Sequence, residues 1–277
     1  MSLSLSLSLS LSISMPLRRL GRLFCLSSAL VAPAAWADSY TDFQQASGQL
    51  EALMAKATPQ SGLPRLSDPG VAQLFAHIAD GPRLFRVPVA ALQDVNQSVS
   101  LCERSTNLGK SYYQFGLTRP LLLSGAELQQ ARREQVTQNL ADYGDEMAAL
   151  FAFGMHCHAH LIGLMEKEFS SQPLPEVSSA ERMRARAFSK GSSTMFVNVV
   201  QFVQVPFWNV AQKKRMLEAA GQHAAANANL MAPPLRERLL TSLVDADKDL
   251  DPALAPALAA IRQALSVTTC TGLCQYY

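Results

Sequence analysis

The chain has 277 residues, 48% of them hydrophobic and 17% charged, with a formal net charge of +2. That balance is too apolar and too weakly charged for a disordered or collagen-like polymer, and 14 Gly, 15 Pro and 5 Cys do not make a small disulfide scaffold. No charge excess points to nucleic acid as a partner.

The first 37 residues read as a secretory signal peptide. Arg18, Arg19 and Arg22 form a positive start, Leu23 to Val31 supply an apolar stretch, and Ala35-Trp36-Ala37 is an A-x-A cleavage signal before Asp38. The apolar run is shorter than the ~20 residues a membrane-spanning helix needs, so no integral membrane segment is expected after cleavage between Ala37 and Asp38. Cys25 lies too far from that point, without small residues before it, to carry a lipid anchor. Residues 1–14, with their alternating Ser and Leu, have the period of a strand. But Met15-Pro16-Leu17-Arg18-Arg19 would begin an ordinary signal by itself, so 1–14 reads as an over-extended start. Three of the 24 Lys+Arg and none of the 22 Asp+Glu lie in the signal, which leaves the mature chain, residues 38–277, at a net charge of −1. Such a chain lacks the long-range field that steers proteins onto DNA or anionic lipid.

Export places the remaining cysteines, Cys102, Cys157, Cys270 and Cys274, in an oxidising compartment. The favoured pairing is Cys102 with Cys157 and Cys270 with Cys274; the alternative staples the C-terminal tail to the helices bearing Cys102 or Cys157. The C-x-x-x-C spacing of the last pair is not the C-x-x-C of a redox motif.

The dominant period of the mature chain is helical. Phe43, Ala46, Leu50, Leu53, Met54 and Ala57 recur at three and four residues and predict a helix from Asp42 to before Pro59, followed by a linker from Gln60 to Pro69. Asp68 is expected to cap a short helix from Pro69 to Ala79, stopped by Gly81-Pro82. After Pro88 a further helix is predicted through Leu92, Val95, Val99 and Cys102 to about Tyr113, closing near Gly116. Ser124-Gly-Ala-Glu127 and Ser178-Ser-Ala-Glu181 are both capping boxes; the likeness fades after the first turns and reads as shared capping chemistry, not duplication. The helix opened by Ser124 is expected to reach about Phe169, with Gly144, Gly154 and Gly163 as points of interruption. Its stretch near 140–169 is apolar nearly all round and should be the central, buried helix. Around its axis Met147, Phe151, His158 and Ile162 share one stripe, while Asp145, His156 and His160 fall opposite.

Ser189 to Ser193 reads as a polar turn. From Thr194 to Trp208 the valines favour a strand, yet Asn198, Gln201 and Gln204 recur every three positions, which favours a buried helix broken at Pro206. Helices are then expected from Val210 to Met231, from Pro233-Pro234 through Leu243, and from Asp251-Pro252 through Leu265. The predicted fold class is all-α, with about eight helices in one globular domain and no βαβ pattern or phosphate-binding loop.

One constellation looks like chemistry: Met155-His156-Cys157-His158-Ala159-His160. On a helix, His156 and His160 sit about 40° apart and share the spacing of H-E-x-x-H zinc sites. Cys157 stands where the catalytic Glu would be, which disfavours a metalloprotease. The pair is the candidate metal site for Zn or Cu, with Asp145, Glu146 or His223 as a third ligand; His158, on the apolar stripe, reads as a core histidine. Asp245, Asp247 and Asp249 have calcium-loop spacing, but Leu250 and Pro256 occupy the places of the required Gly and Glu, so the segment reads as a solvated linker. No G-x-S-x-G or other nucleophile motif is present.

The expectation is an exported protein, periplasmic or secreted, that is not an enzyme and works by binding a partner protein, for example by neutralising a toxin or inhibiting an enzyme. No cofactor is expected on that reading. The alternatives are a Zn- or Cu-binding protein using His156 and His160, and an enzyme whose site is assembled from residues distant in sequence.

Overall fold

The computed structural model describes residues 33–85, 92–117, 125–170, 177–246, 251–267, 269 and 273–276. The expected signal segment before Pro33, Ser124 of the first expected capping box, most of the expected 245–249 linker and Cys270 lie outside them. The described residues are helical, with no strand: α1 Pro33–Met54, α2 Val71–Ile78, α3 Gly81–Leu84, α4 Leu92–Tyr113, α5 Gly125–Asp142, α6 Gly144–Ser170, α7 Ser179–Gln201, α8 Val210–Gln222, α9 Ala224–Ala228, α10 Pro233–Ala246 and α11 Ala255–Val267. The helix count exceeds the expected eight because two long predicted helices divide, at Tyr143 and at His223, and because Gly81–Leu84 forms a further short one.

The first division is the most instructive. A helix continuous through Gly144 would use the Leu140 carbonyl to accept from the Gly144 amide. Here the buried Trp208 indole N–H donates to that carbonyl at 2.7 Å. The chain turns at Tyr143 and restarts at Gly144, where an added Cβ would lie 2.8 Å from the Gln212 amide. Asp145 and Glu146 in the first turn of α6 suit the positive end of the new helix. The other divisions follow the same logic. Phe202–Gln204 tightens to a 3-10 turn before Pro206, and Asn209 restarts the chain with a capping box to Gln212. At His223 the predicted Val210-to-Met231 helix breaks into α8 and α9.

Three local expectations are corrected. Asp68 does not cap α2: its carboxylate accepts from the Arg65 amide, and the N-cap of α2 is Gly70 in the left-handed region, φ 80°. Gly81-Pro82 opens a helix instead of stopping one, because the Asp80 carboxylate accepts from the Arg83 amide and Pro82 fits the first turn of α3. Ser189 to Ser193 is no turn but the middle of α7, which starts at the Ser178–Glu181 capping box. Ser189, Ser192 and Ser193 join Ala185, Phe188, Phe196 and Val200 on its buried face, and the Ser189 hydroxyl donates to the Leu230 carbonyl.

α6 occupies the centre and packs most extensively on α4 and α8. Met147, Phe153 and Met155 are fully buried, each contributing about 1.5–3 kcal/mol of hydrophobic stabilisation. By length and composition α6 could span a bilayer, but 67% of its apolar window is buried inside the fold, as its central place requires. One continuous core runs from Phe43 to Leu265, tied by stacking of Phe43 and Phe85 on Phe153 and of Phe202 between Phe151 and Trp208. A smaller core of Ile162, Val177, Ala185, Phe188, Leu230 and Leu273 brings the C-terminal turn onto α7.

Candidate functional site

Residues 156–160 lie mid-way along α6, where neighbours close in from several sides. Cys157 is joined to Cys102 of α4, with the two Cα atoms 5.5 Å apart. Cys274 is also disulfide-bonded; Cys270, its expected partner, lies outside the described residues. His158 is buried against α7, with Nδ1 3.2 Å from the Ser192 hydroxyl, and burial pushes its pKa down to about 4, so the ring is neutral at pH 7. The core-histidine reading of His158 agrees with this environment.

The two candidate ligands face different partners. His160 Nε2 lies 3.1 Å from the Ser98 hydroxyl on α4, and its ring stacks on Phe85 with centroids 4.6 Å apart. His156 Nδ1 lies 2.8 Å from Nε2 of His223, at the end of α8, and the rings meet edge to face with centroids 4.8 Å apart. Burial lowers the pKa of His156, against the pull of the nearby Asp80 carboxylate, and that of His160. Burial and the neighbouring His156 push His223 down to about 4. All these rings are therefore held toward the neutral form, the form that binds metal ions.

The acidic candidates stand apart. Asp145 accepts from the Gln212 side-chain amide at 2.8 Å. Glu146, buried, accepts from the Leu66 amide, and burial pushes its pKa above the ordinary carboxylate range. They lie about 15–17 Å along α6 from His156, ten residues away for Glu146 and eleven for Asp145, at about 1.5 Å each. Of the five candidate ligands the structure thus brings together His156 and His223. Among the described residues no group of three or more His, Cys, Asp or Glu is arranged to hold a metal ion.

The His156 ring opens onto a cleft of about 360 Å³ between Ala79, α6 and α8, lined also by Ala149, Phe153, Lys214, Arg215, Glu218 and Gln222. The Cβ of any residue replacing Gly81 would collide with the His156 ring, so the first residue of α3 fixes the ring's position at the cleft. Lys214 and Glu218 form a pair at 3.8 Å one turn apart. These α8 residues were not legible as a site in the sequence: on an amphipathic helix they look like an ordinary solvated face. Gly81 carried a signal, a glycine beside a proline, that reads equally well as a turn.

Comparison with protein-family models, curated proteins and solved structures returns no match for the chain.

Proposed function

We propose that the chain is an exported helical protein that acts by binding a partner protein in the periplasm through the outward face of α8 and the cleft beside it. The observation that carries this reading is the composition of that face. Val210, Lys214, Glu218, Ala211, Gln222 and Arg215 fall within an arc of about 140° on α8, and all are exposed. Phe207 and Val210, two of the few large apolar side chains left exposed, at 39% and 38%, sit at the start of the same helix. Exposed aromatic and arginine side chains are the residue types from which interface hot spots are built, and this end of the fold supplies Phe207 and Arg215. Three of the side chains with catalytic potential on α6 are meanwhile engaged inside the fold, His158 with Ser192, His160 with Ser98 and Glu146 with Leu66. That allocation supports recognition over catalysis.

The test is site-specific photo-crosslinking in the source cells, with a photoreactive residue at Arg215 and, as control, at Gln129 on the exposed side of α5. The reading expects one discrete adduct from Arg215, absent from Gln129 and lost on Phe207→Asp. Equal labelling at both positions, or no adduct at Arg215, overturns it.

A further inference from the structure

The histidine spacing in the sequence singled out His156 and His160, but the fold pairs His156 with a residue 67 positions away. We propose that His156 Nδ1 and His223 Nε2 form a two-imidazole site for a divalent transition-metal ion, Cu(II) before Ni(II) or Zn(II), with water completing the coordination.

The two nitrogens stand 2.8 Å apart because one ring donates to the other. Donors bound to one ion by bonds of about 2.0 Å lie about 2.8–3.3 Å apart, so modest rotations of the two rings would turn both lone pairs onto a shared ion. Imidazole suits Cu, Ni and Zn, and the general order of affinity puts Cu(II) first.

Both donors stand on fixed backbone. The His156 ring abuts Gly81, which leaves no room for a Cβ beside it. His223 closes α8 with its amide donating to the Ala220 carbonyl, and its own carbonyl accepts from the Asn227 amide and from the Asn227 side chain at 3.0 Å. Both rings are half-buried, and His156 lines the cleft, which gives an ion a route from solvent to that member of the pair. Asp80 lies close enough to favour positive charge at His156, and the Lys214 ammonium on the cleft wall is held by Glu218.

In the metal-free pair one inner nitrogen carries a proton and donates to the other. Binding needs both lone pairs, so the donor ring gives its inner proton to water and takes one on its outer nitrogen. The neutral pair releases no net proton. With two protein donors the site is exchangeable, unlike a closed structural zinc centre.

The experiment is titration of the untagged mature chain with Cu(II) alone, read by calorimetry and by pulsed EPR for the number of coordinated imidazoles. The expected result is one Cu(II) bound through two imidazoles, at least tenfold weaker in both His156→Asn and His223→Ala, and unchanged in His160→Ala and His77→Ala. Circular dichroism shows which variants fold; an unfolded His156→Asn is replaced by His156→Gln. Zn(II) is expected to bind the same site more weakly. Binding unaffected by folded His156 and His223 variants, loss with His160→Ala alone, or Zn(II) binding tighter than Cu(II) would each overturn the proposal.

Discussion

Removing the Cys102–Cys157 bridge should cost the protein a large part of its stability, and the size follows from loop length. The bridge closes a sequence separation of 55 between α4 and α6. In the chain-entropy account, restricting an unfolded loop of that length is worth about 4 kcal/mol at 25 °C. A domain of this size shifts its melting temperature by about 2–4 °C per kcal/mol, so Cys102→Ala/Cys157→Ala should melt roughly 8–16 °C below the parent. Reductant is the wrong perturbation, because it also opens the bridge at Cys274. The assay is urea unfolding of the oxidised parent and the double variant, followed by far-UV circular dichroism. The variant's denatured state is less constrained and exposes more surface, so its m-value should rise while its midpoint falls. A stability loss under about 1 kcal/mol with an unchanged m-value would refute the reasoning, since the unfolded chain would then not register the cross-link.

Four further outcomes are expected. Glu146→Gln keeps an acceptor for the Leu66 amide and removes a buried carboxylate whose pKa is raised above 4.5, a group whose burial costs stability as pH rises through its folded pKa. The Gln variant should therefore be at least as stable as the parent at pH 7 and show a flatter stability curve above pH 4.5, while Glu146→Ala orphans the Leu66 amide and loses about 1–3 kcal/mol; urea titrations at several pH values check both. Gly81→Ala forces a Cβ into the His156 ring and should cost about 1–3 kcal/mol in thermal or urea unfolding, whereas Gly163→Ala, with open space around it, should not destabilise. Trp208→Phe leaves the buried Leu140 carbonyl without its donor and should lose about 1–3 kcal/mol beyond any change in packing, read from denaturant midpoints. Mass spectrometry of the protein from its source cells should find Asp38 at the amino terminus. The described buried residues of α1, Ser39, Phe43, Ala46, Ser47 and Leu50, all follow that point, so cleavage there leaves the core contacts of α1 in place.

The all-α class was legible because helical periodicity is a local property, written within a few turns of each segment. The breaks were not, because their causes lie elsewhere in the chain. Gly144 stood out as a weak point, yet the bond that the Leu140 carbonyl makes at the break comes from Trp208, 68 residues away. The serines of 189–193 looked like a turn because serine competes for backbone bonds in isolation; buried beside α9, small side chains let α7 approach its neighbours closely. Gly81-Pro82 carries signals for both ends of a helix, and Asp80 one residue earlier decides for a start. At the site, the sequence showed which rings α6 carries but not what they meet. His156 and His160 share a face by spacing, while their partners are chosen by His223 on α8 and Ser98 on α4.

The row from His156 to His160 also has a mechanical consequence. At 100° per residue, with His156 set at 0°, His160 lies at 40°, Cys157 at 100° and His158 at 200°. The contacts follow those angles. His160 and Cys157, 60° apart, both meet α4; His158, on the far side, meets α7; His156 meets the end of α8. Apolar packing alone constrains the rotation of such an evenly hydrophobic helix weakly, since a turn about its axis exchanges one buried methyl group for another. Four polar or covalent links aimed at three neighbours remove that freedom, because a rotation that improves one breaks the others. Three of these groups are thereby committed to the interior, Cys157 to its bridge, His158 to Ser192 and His160 to Ser98. The ring that lines the cleft is His156, so the one member of the row free to combine its structural bond with ligand chemistry is the one that the fold places beside α8.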